Sequence, residues 1–251
     1  MQHIQLKNKA SIDKMRTAGR RLAEILREVE IIVIAGKSTW EIDAFIDNRM
    51  KSVGLRAVCK GYGTYRHATC ISINDVVVHG IPSKDTILKS GDFVKIDVVG
   101  SFENYCADMA RYFFVGIVDP RVFALAKVAQ EALDGAIAMA RPGIYLSDLS
   151  AYIQETVEKA GFGVVRDFSG HGIGKTIHEA PEIPNYGKPG NGPMLREGMT
   201  LAIEPMITEK NYETVVMADG WTAKTRDGGL AAHVEDTVVI TRDGVEILTR
   251  L

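Results

Sequence analysis

With 251 residues, 46% of them hydrophobic, the chain is long enough to bury a substantial core, and its 30 basic and 32 acidic side chains nearly cancel, which excludes a general attraction to nucleic acid or a membrane surface. Three cysteines, Cys59, Cys70 and Cys106, cannot all pair and lack the close spacing of a zinc knuckle, so a reducing compartment is indicated. The polar first ten residues hold no signal-peptide core and the longest apolar run, 31–35, cannot span a bilayer, so a cytoplasmic protein is expected.

Between 11 and 34, Met15, Ala18, Leu22, Leu26, Val29 and Val33 recur at helical spacing, predicting an amphipathic helix that Gly36 breaks. Ser38-Thr39-Trp40-Glu41 reads as a capping box opening a second helix, which runs to about Val53 and stops at Gly54. Stretches rich in strand formers follow at 92–99 and 105–115, and again at 199–207 and 231–241. No linker or low-complexity tract interrupts them.

The run from Leu88 to Asp97 returns from Leu195 to Glu204, each copy a turn and then a strand ending on a carboxylate. The same shift of 107 residues carries Gly36 onto Gly143, Phe45 onto Tyr152, Ile46 onto Ile153 and Gly54 onto Gly161. One register serves helix and strand alike, which predicts two helix-helix-strand halves, roughly 11–115 and 118–241, related by a pseudo-two-fold axis. The expected architecture is a single α+β catalytic domain, 1–251, with helices outside a curved, mostly antiparallel sheet. A further echo, His79-Gly80-Ile81-Pro82 against His178-Glu179-Ala180-Pro181, gives each half a histidine as well as an acid.

Asp97 and Asp108 lie on two β-like runs joined near Glu103-Asn104. If they pair directly, the turn falls at 102 and 103 and both acids leave the same face, where only a shared proton or a cation relieves their repulsion. Taken alone, the two are better explained by one Asp in an irregular turn facing water. Glu204 ends the apolar strand of Met199, Leu201 and Ile203, while alternation places His233, Glu235 and Thr237 on one face of a second apolar run. Acids embedded in such strands are costly unless paired or metal-bound, and four acids with one imidazole suit two divalent ions. The candidate imidazole is His171 in Ser169-Gly170-His171-Gly172-Ile173-Gly174, whose glycines are expected to let the backbone bend tightly around it. Gly174-Lys175-Thr176 imitates the tail of a phosphate-binding loop, but the leading glycine is missing and Ile177-His178-Glu179-Ala180-Pro181 does not open a helix.

These segments, together with Ile71-Ser72-Ile73-Asn74, Lys95-Ile96-Asp97-Val98, Ala107-Asp108, Ile203-Glu204-Pro205-Met206 and Glu235-Asp236-Thr237, resemble the type I methionine aminopeptidases over nearly the whole chain. The resemblance implies the pita-bread fold and removal of N-terminal methionine from peptides and nascent chains, with a small second residue preferred. It implies two divalent ions (Co, Mn, Fe, Zn or Ni) on Asp97, Asp108, His171, Glu204 and Glu235, with Asp108 and Glu235 bridging. A metal-bridging hydroxide would attack the scissile carbonyl, with Glu204 as general base and with His79 and His178 on the substrate. Cys59, Tyr62, Tyr65, Cys70, Ile177 and Trp221 match positions of the methionine pocket. Backbone groups of Asn74, Val76 and Ala231 match positions that hold a monovalent cation, Na or K.

The resemblance also implies a monomer that meets nascent chains through transient contact with the ribosome, without specific nucleic acid or membrane binding. Without the long insertion of type II enzymes or the zinc-binding extension of eukaryotic type I relatives, the chain fits a bacterial type. Lys95, Cys106, Ile177, His233 and Asp236 depart from the usual family pattern. The alternatives are an Xaa-Pro aminopeptidase or prolidase, which usually carries an extra N-terminal domain, and a non-catalytic pita-bread binding protein, which typically lacks the ligand set.

Overall fold

Residues 3–251 are described by a computed structural model. Helix α1 (Lys9–Val29) starts where the Asn8 side chain accepts the Ser11 N–H, and it buries Met15, Ala18, Leu22, Leu26 and Val29 along one face. The expected helix was longer. The chain turns after Val29, leaving Ile31 and Ile34 in solvent while Val33 stays buried, so Val33 continues the apolar spacing without continuing the helix. Helix α2 (Thr39–Ser52) opens on the expected reciprocal box, in which the Ser38 hydroxyl accepts the Glu41 N–H and the Glu41 carboxylate accepts the Ser38 N–H. Two more helices, α3 (Pro120–Met139) and α4 (Leu146–Lys159), serve the second half.

The strands of the first half are β1 (Arg56–Ala57), β2 (Thr69–Ile73), β3 (Val76–Val78), β4 (Phe93–Phe102) and β5 (Tyr105–Phe114). Those of the second are β6 (Gly163–Val164), β7 (Ser169–Gly172), β8 (Glu179–Pro184), β9 (Thr200–Ile203), β10 (Met206–Thr208), β11 (Thr214–Val216), β12 (Ala223–Thr225), β13 (Ala231–His233), β14 (Glu235–Ile240) and β15 (Val245–Ile247). The main sheet runs β1-β4-β5-β14-β9-β7-β8, with β2 also on β4 and β15 on β14, and two three-stranded sheets complete the fold. Every strand pair among the described residues is antiparallel. One apolar core joins α1 and α2 to β2, β4 and β5, and another joins α3 and α4 to β9 and β14. This is the α+β arrangement the patterning implied.

The 107-residue register recurs in hydrogen bonds. Gly36 N–H donates to the Leu88 carbonyl as Gly143 N–H does to that of Leu195, and Leu88 N–H donates to Lys37 as Leu195 N–H does to Ile144. Gly36 and Gly143 both have φ of 91°, a left-handed turn that a side chain would strain. Isolated bridges Ser38 to Ile87 and Tyr145 to Met194 keep the same offset.

Two long β-runs of the sequence are each two strands. The 199–207 run breaks after Ile203, because Pro205 has no N–H for the ladder, and Glu204 is left at the strand end. The 231–241 run breaks at Val234, so His233, Glu235 and Thr237 do not share one continuous strand face; β13 pairs with β10, whereas β14 pairs with β5 and β9. Among the described residues no helix is long and apolar enough to cross a membrane.

Candidate metal centre and substrate cavity

The β4–β5 hairpin sets the first two acids. Its register pairs Asp97 with Ala110 and Val99 with Asp108, and the turn sits at Glu103 and Asn104, both in the left-handed region. Asp97 and Asp108 are therefore diagonal neighbours on one face rather than a directly opposed pair; the left-handed Glu103-Asn104 turn displaces the register by one residue per strand. Burial pushes the Asp97 carboxyl up to about 6, with His233 opposing and Glu204 adding to the shift. Asp108 is driven well above the carboxylate range by burial and then by the charges of Asp97 and Glu204. Thr237 holds Asp108 from β14, accepting its backbone N–H at 2.9 Å and donating to its carbonyl at 2.8 Å.

His171 enters from β7, between β8 and β9. The backbone does bend at the histidine, where the β7–β8 register shifts between His171 and Gly172, but Gly170, Gly172 and Gly174 have no positive φ among the described backbone, so left-handed geometry is not why glycine stands there. Close approach explains them instead: a Cβ at Gly172 would collide with the Ala180 carbonyl and one at Gly170 with that of Ala202. His171 Nδ1 lies 2.9 Å from the Gly172 carbonyl, which fixes the proton there and leaves the Nε2 lone pair facing inward. Nε2 lies 3.4 Å from Glu204 Oε1 and 3.9 Å from Asp108 Oδ2. Burial, assisted by His178, holds this imidazole down at about 4, so a neutral lone pair faces two carboxyls.

Asp108, His171 and Glu235 each offer an atom within 4.8 Å of the others, and Glu204, His233 and Glu235 form a second such group. Asp108 Oδ1, Glu235 Oε1 and His233 Nε2 are buried with no hydrogen-bond partner. Burial and the neighbouring acids raise Glu235 well above its usual range, and burial does the same for Glu204. Orphaned acceptors, mutually repelling acids and an inward lone pair are what a bound divalent cation would satisfy, so these residues fit the metal that the sequence implied.

A cavity of about 540 Å³ opens beside this cluster, and its lining includes every expected acid and histidine together with Cys59, Tyr62, Tyr65, Cys70, Ile177 and Trp221. Tyr65 presents its ring, since its hydroxyl donates to the Thr69 carbonyl at 2.8 Å, and Trp221 meets it edge-on at 5.1 Å. Tyr62 Oη lies 3.0 Å from His178 Nδ1. His79 is held at φ 59°, a left-handed conformation costing a non-glycine residue on the order of 1–3 kcal/mol, as functional sites tolerate. Burial, with His233 and His178, lowers its imidazole to about 4.

Sequence reasoning missed three contributors. Phe168 packs edge-on against His79 at 5.4 Å; an aromatic just before Ser169-Gly170-His171 was its only signal. His233, set beside Glu235 by alternation and noted as a departure but given no role in the site, places Nε2 at 3.5 Å from Glu204 Oε2. Lys7 Nζ reaches Glu179 Oε2 at 2.5 Å from 172 residues away, a contact without a local signature. Of the backbone groups expected around a monovalent ion, the Asn74 carbonyl accepts the Ala231 N–H at 3.0 Å and also Lys95 Nζ at 3.0 Å.

Residues 13–242 match the model of metallopeptidase family M24. A methionine aminopeptidase A of Synechocystis sp. is 44% identical over 98% of this chain and 97% of that protein, and the methionine aminopeptidase of Escherichia coli is 42% identical over 98% and 94%. The chain belongs to the methionine aminopeptidases of family M24. Among solved structures, a methionine aminopeptidase from Thermotoga maritima is 46% identical, with a TM-score of 0.98 over 99% of this chain and 100% of that one. A prolidase from Pyrococcus furiosus shares the fold at 26% identity and a TM-score of 0.80, but this chain covers only 65% of it. The fold is thus the pita-bread fold that methionine aminopeptidases and prolidases share, and the metallopeptidase family agrees with the donor set in the cavity.

Proposed function

We propose that this aminopeptidase removes the N-terminal methionine of peptides and nascent chains, preferring a small second residue, with two divalent ions held by Asp97, Asp108, His171, Glu204 and Glu235. The observation that carries the reading is the convergence of buried acids and an inward-facing neutral His171 on one cavity walled by thiols and aromatic rings. When bound, the ions acidify a water molecule and polarise the scissile carbonyl; the donor set suits Co, Mn, Fe, Zn or Ni, and availability decides among them.

The protein's own groups supply the rest. Glu204, between His171 and His233, takes the proton of the attacking water and passes it to the leaving nitrogen. With the Tyr62 hydroxyl donating to Nδ1, His178 keeps its proton on Nε2 and offers it to the developing oxyanion. His79, neutral and clamped by its backbone and by Phe168, is placed to hydrogen-bond the scissile amide nitrogen. Cys59 and Cys70 give the side-chain pocket soft, adaptable contacts, while Tyr65 and Trp221 give it flat walls, a combination suited to an unbranched thioether.

Three free, buried cysteines support a reducing, cytoplasmic setting for this activity, where transient contact with the ribosome would present nascent chains. The test is a peptide panel, Met-Ala-Ser, Leu-Ala-Ser, Phe-Ala-Ser and an Xaa-Pro peptide, run on metal-replete protein whose metal has been analysed. Selective cleavage of Met-Ala-Ser is expected. Equal rates with Leu or Phe in first place would overturn the pocket assignment, and cleavage confined to the Xaa-Pro peptide would make the chain a prolidase.

A further inference from the structure

Lys95 is a lysine at 1% exposure, on β4 two residues before Asp97. Its Nζ donates to the Asn74 carbonyl at 3.0 Å and lies 5.0 Å from the centroid of the Phe93 ring. Asn74 occupies the turn between β2 and β3 with φ 50°, in the left-handed region. The same oxygen accepts the backbone N–H of Ala231, at the start of β13, also at 3.0 Å.

A carbonyl oxygen has two lone pairs, and here both are engaged by protein donors. The resemblance assigned this oxygen, with the backbone of Val76 and Ala231, to a sodium or potassium ion. The residues present do not fit that ion. It would find no free lone pair on Asn74 and would sit against an amine that carries like charge when protonated.

We infer that Lys95 replaces the monovalent cation with a tethered amine, so that this protein needs neither sodium nor potassium to hold its site. The replacement has a positioning role. The Asn74 turn leads through β3 to His79, Ala231 begins the strand that carries His233 and leads to Glu235, and Lys95 shares β4 with Asp97. Two nitrogens on one carbonyl, Lys95 Nζ and the Ala231 N–H, thus tie together three segments that converge on the cavity, with the amine in the place of a bound ion and without an equilibrium that depends on salt. The inference concerns the scaffold and does not depend on the proposed peptidase activity, so its test reads unfolding of protein stripped of divalent metal.

Thermal unfolding is followed at constant ionic strength in tetramethylammonium, sodium and potassium chloride. The unaltered protein is expected to unfold at the same temperature, to within about 1 °C, in all three, because no site is left to fill. Lys95→Ser opens the space, so its Tm falls in tetramethylammonium and recovers saturably, by about 5–10 °C at an ion concentration a hundredfold above Kd, in sodium or potassium. Lys95→Met fills the space without a donor, so its lowered Tm is the same in all three salts. A saturable rise of the unaltered protein's Tm with sodium or potassium overturns the inference, and so does a folded Lys95→Ser variant indifferent to both ions. Should Lys95→Ser fail to fold, sodium-23 NMR of the unaltered protein decides: absence of a bound ion supports the replacement, and a bound ion refutes it.

Discussion

Asp236 is fully buried, and its carboxylate is the joint between two arginines and the C-terminal segment. Oδ1 accepts from Arg111 at 2.6 Å and from the Thr249 hydroxyl at 2.7 Å, while Oδ2 accepts Arg250 Nε at 2.7 Å. Asp236→Ala strips these donors of their shared acceptor. Breaking a buried pair by removing one partner costs about 3–5 kcal/mol. The low end applies here, about 3 kcal/mol, because the two arginine side chains are 25% and 36% exposed and can rehydrate. Arg111 also keeps its bond to the Glu235 carbonyl and Arg250 its bond to Asp134. For a chain of this size that loss corresponds to a Tm decrease of about 6–12 °C, read by differential scanning calorimetry or as a lower urea midpoint. Asp236→Asn keeps one acceptor oxygen and should lose roughly half as much. A decrease below about 2 °C for the alanine variant would refute the assignment of Asp236 as a structural joint.

Two further outcomes test the site. Glu204→Gln is expected to lower kcat at least ~10²-fold with metal still bound; near-normal turnover by the metal-replete variant would remove Glu204 from the proton relay. Because burial raises Asp108, Glu204 and Glu235 well above their ordinary range, with neighbouring acids adding to the shift at Asp108 and Glu235, metal binding should displace protons, and affinity should fall as pH falls. Asp97 joins them as pH drops through about 6, but in the metal-free protein its contribution to folding stability runs the opposite way: present below 3.8, lost as pH rises through about 6. Calorimetric titration in two buffers of different ionisation heat counts these protons; a heat independent of the buffer contradicts the argument.

What could be read in advance follows from what is local. The capping box at Ser38 and Glu41, the left-handed glycines at 36 and 143 and the acids ending apolar strands each need only a few neighbouring residues, and the 107-residue echo made them legible twice. Spacing failed where the backbone departs from regular geometry. The hairpin register turned on two left-handed residues, Glu103 and Asn104, and the continuous β-runs ended at Pro205 and Val234, where strands change partners. The glycines around His171 were legible as room for a tight bend, but the clearance that Gly170 and Gly172 leave for neighbouring carbonyls is visible only once β8 and β9 lie beside β7.

The sequence by itself thus determined the inventory: two related halves, four metal-suited acids, the histidines and a soft pocket, because residue type and short-range periodicity are written in order along the chain. Tertiary structure decided how that inventory is used. Which lone pair of His171 faces inward, which two donors occupy the Asn74 carbonyl and which arginines Asp236 joins all depend on contacts between segments far apart in sequence, where burial and hydrogen-bond geometry act and spacing carries no information.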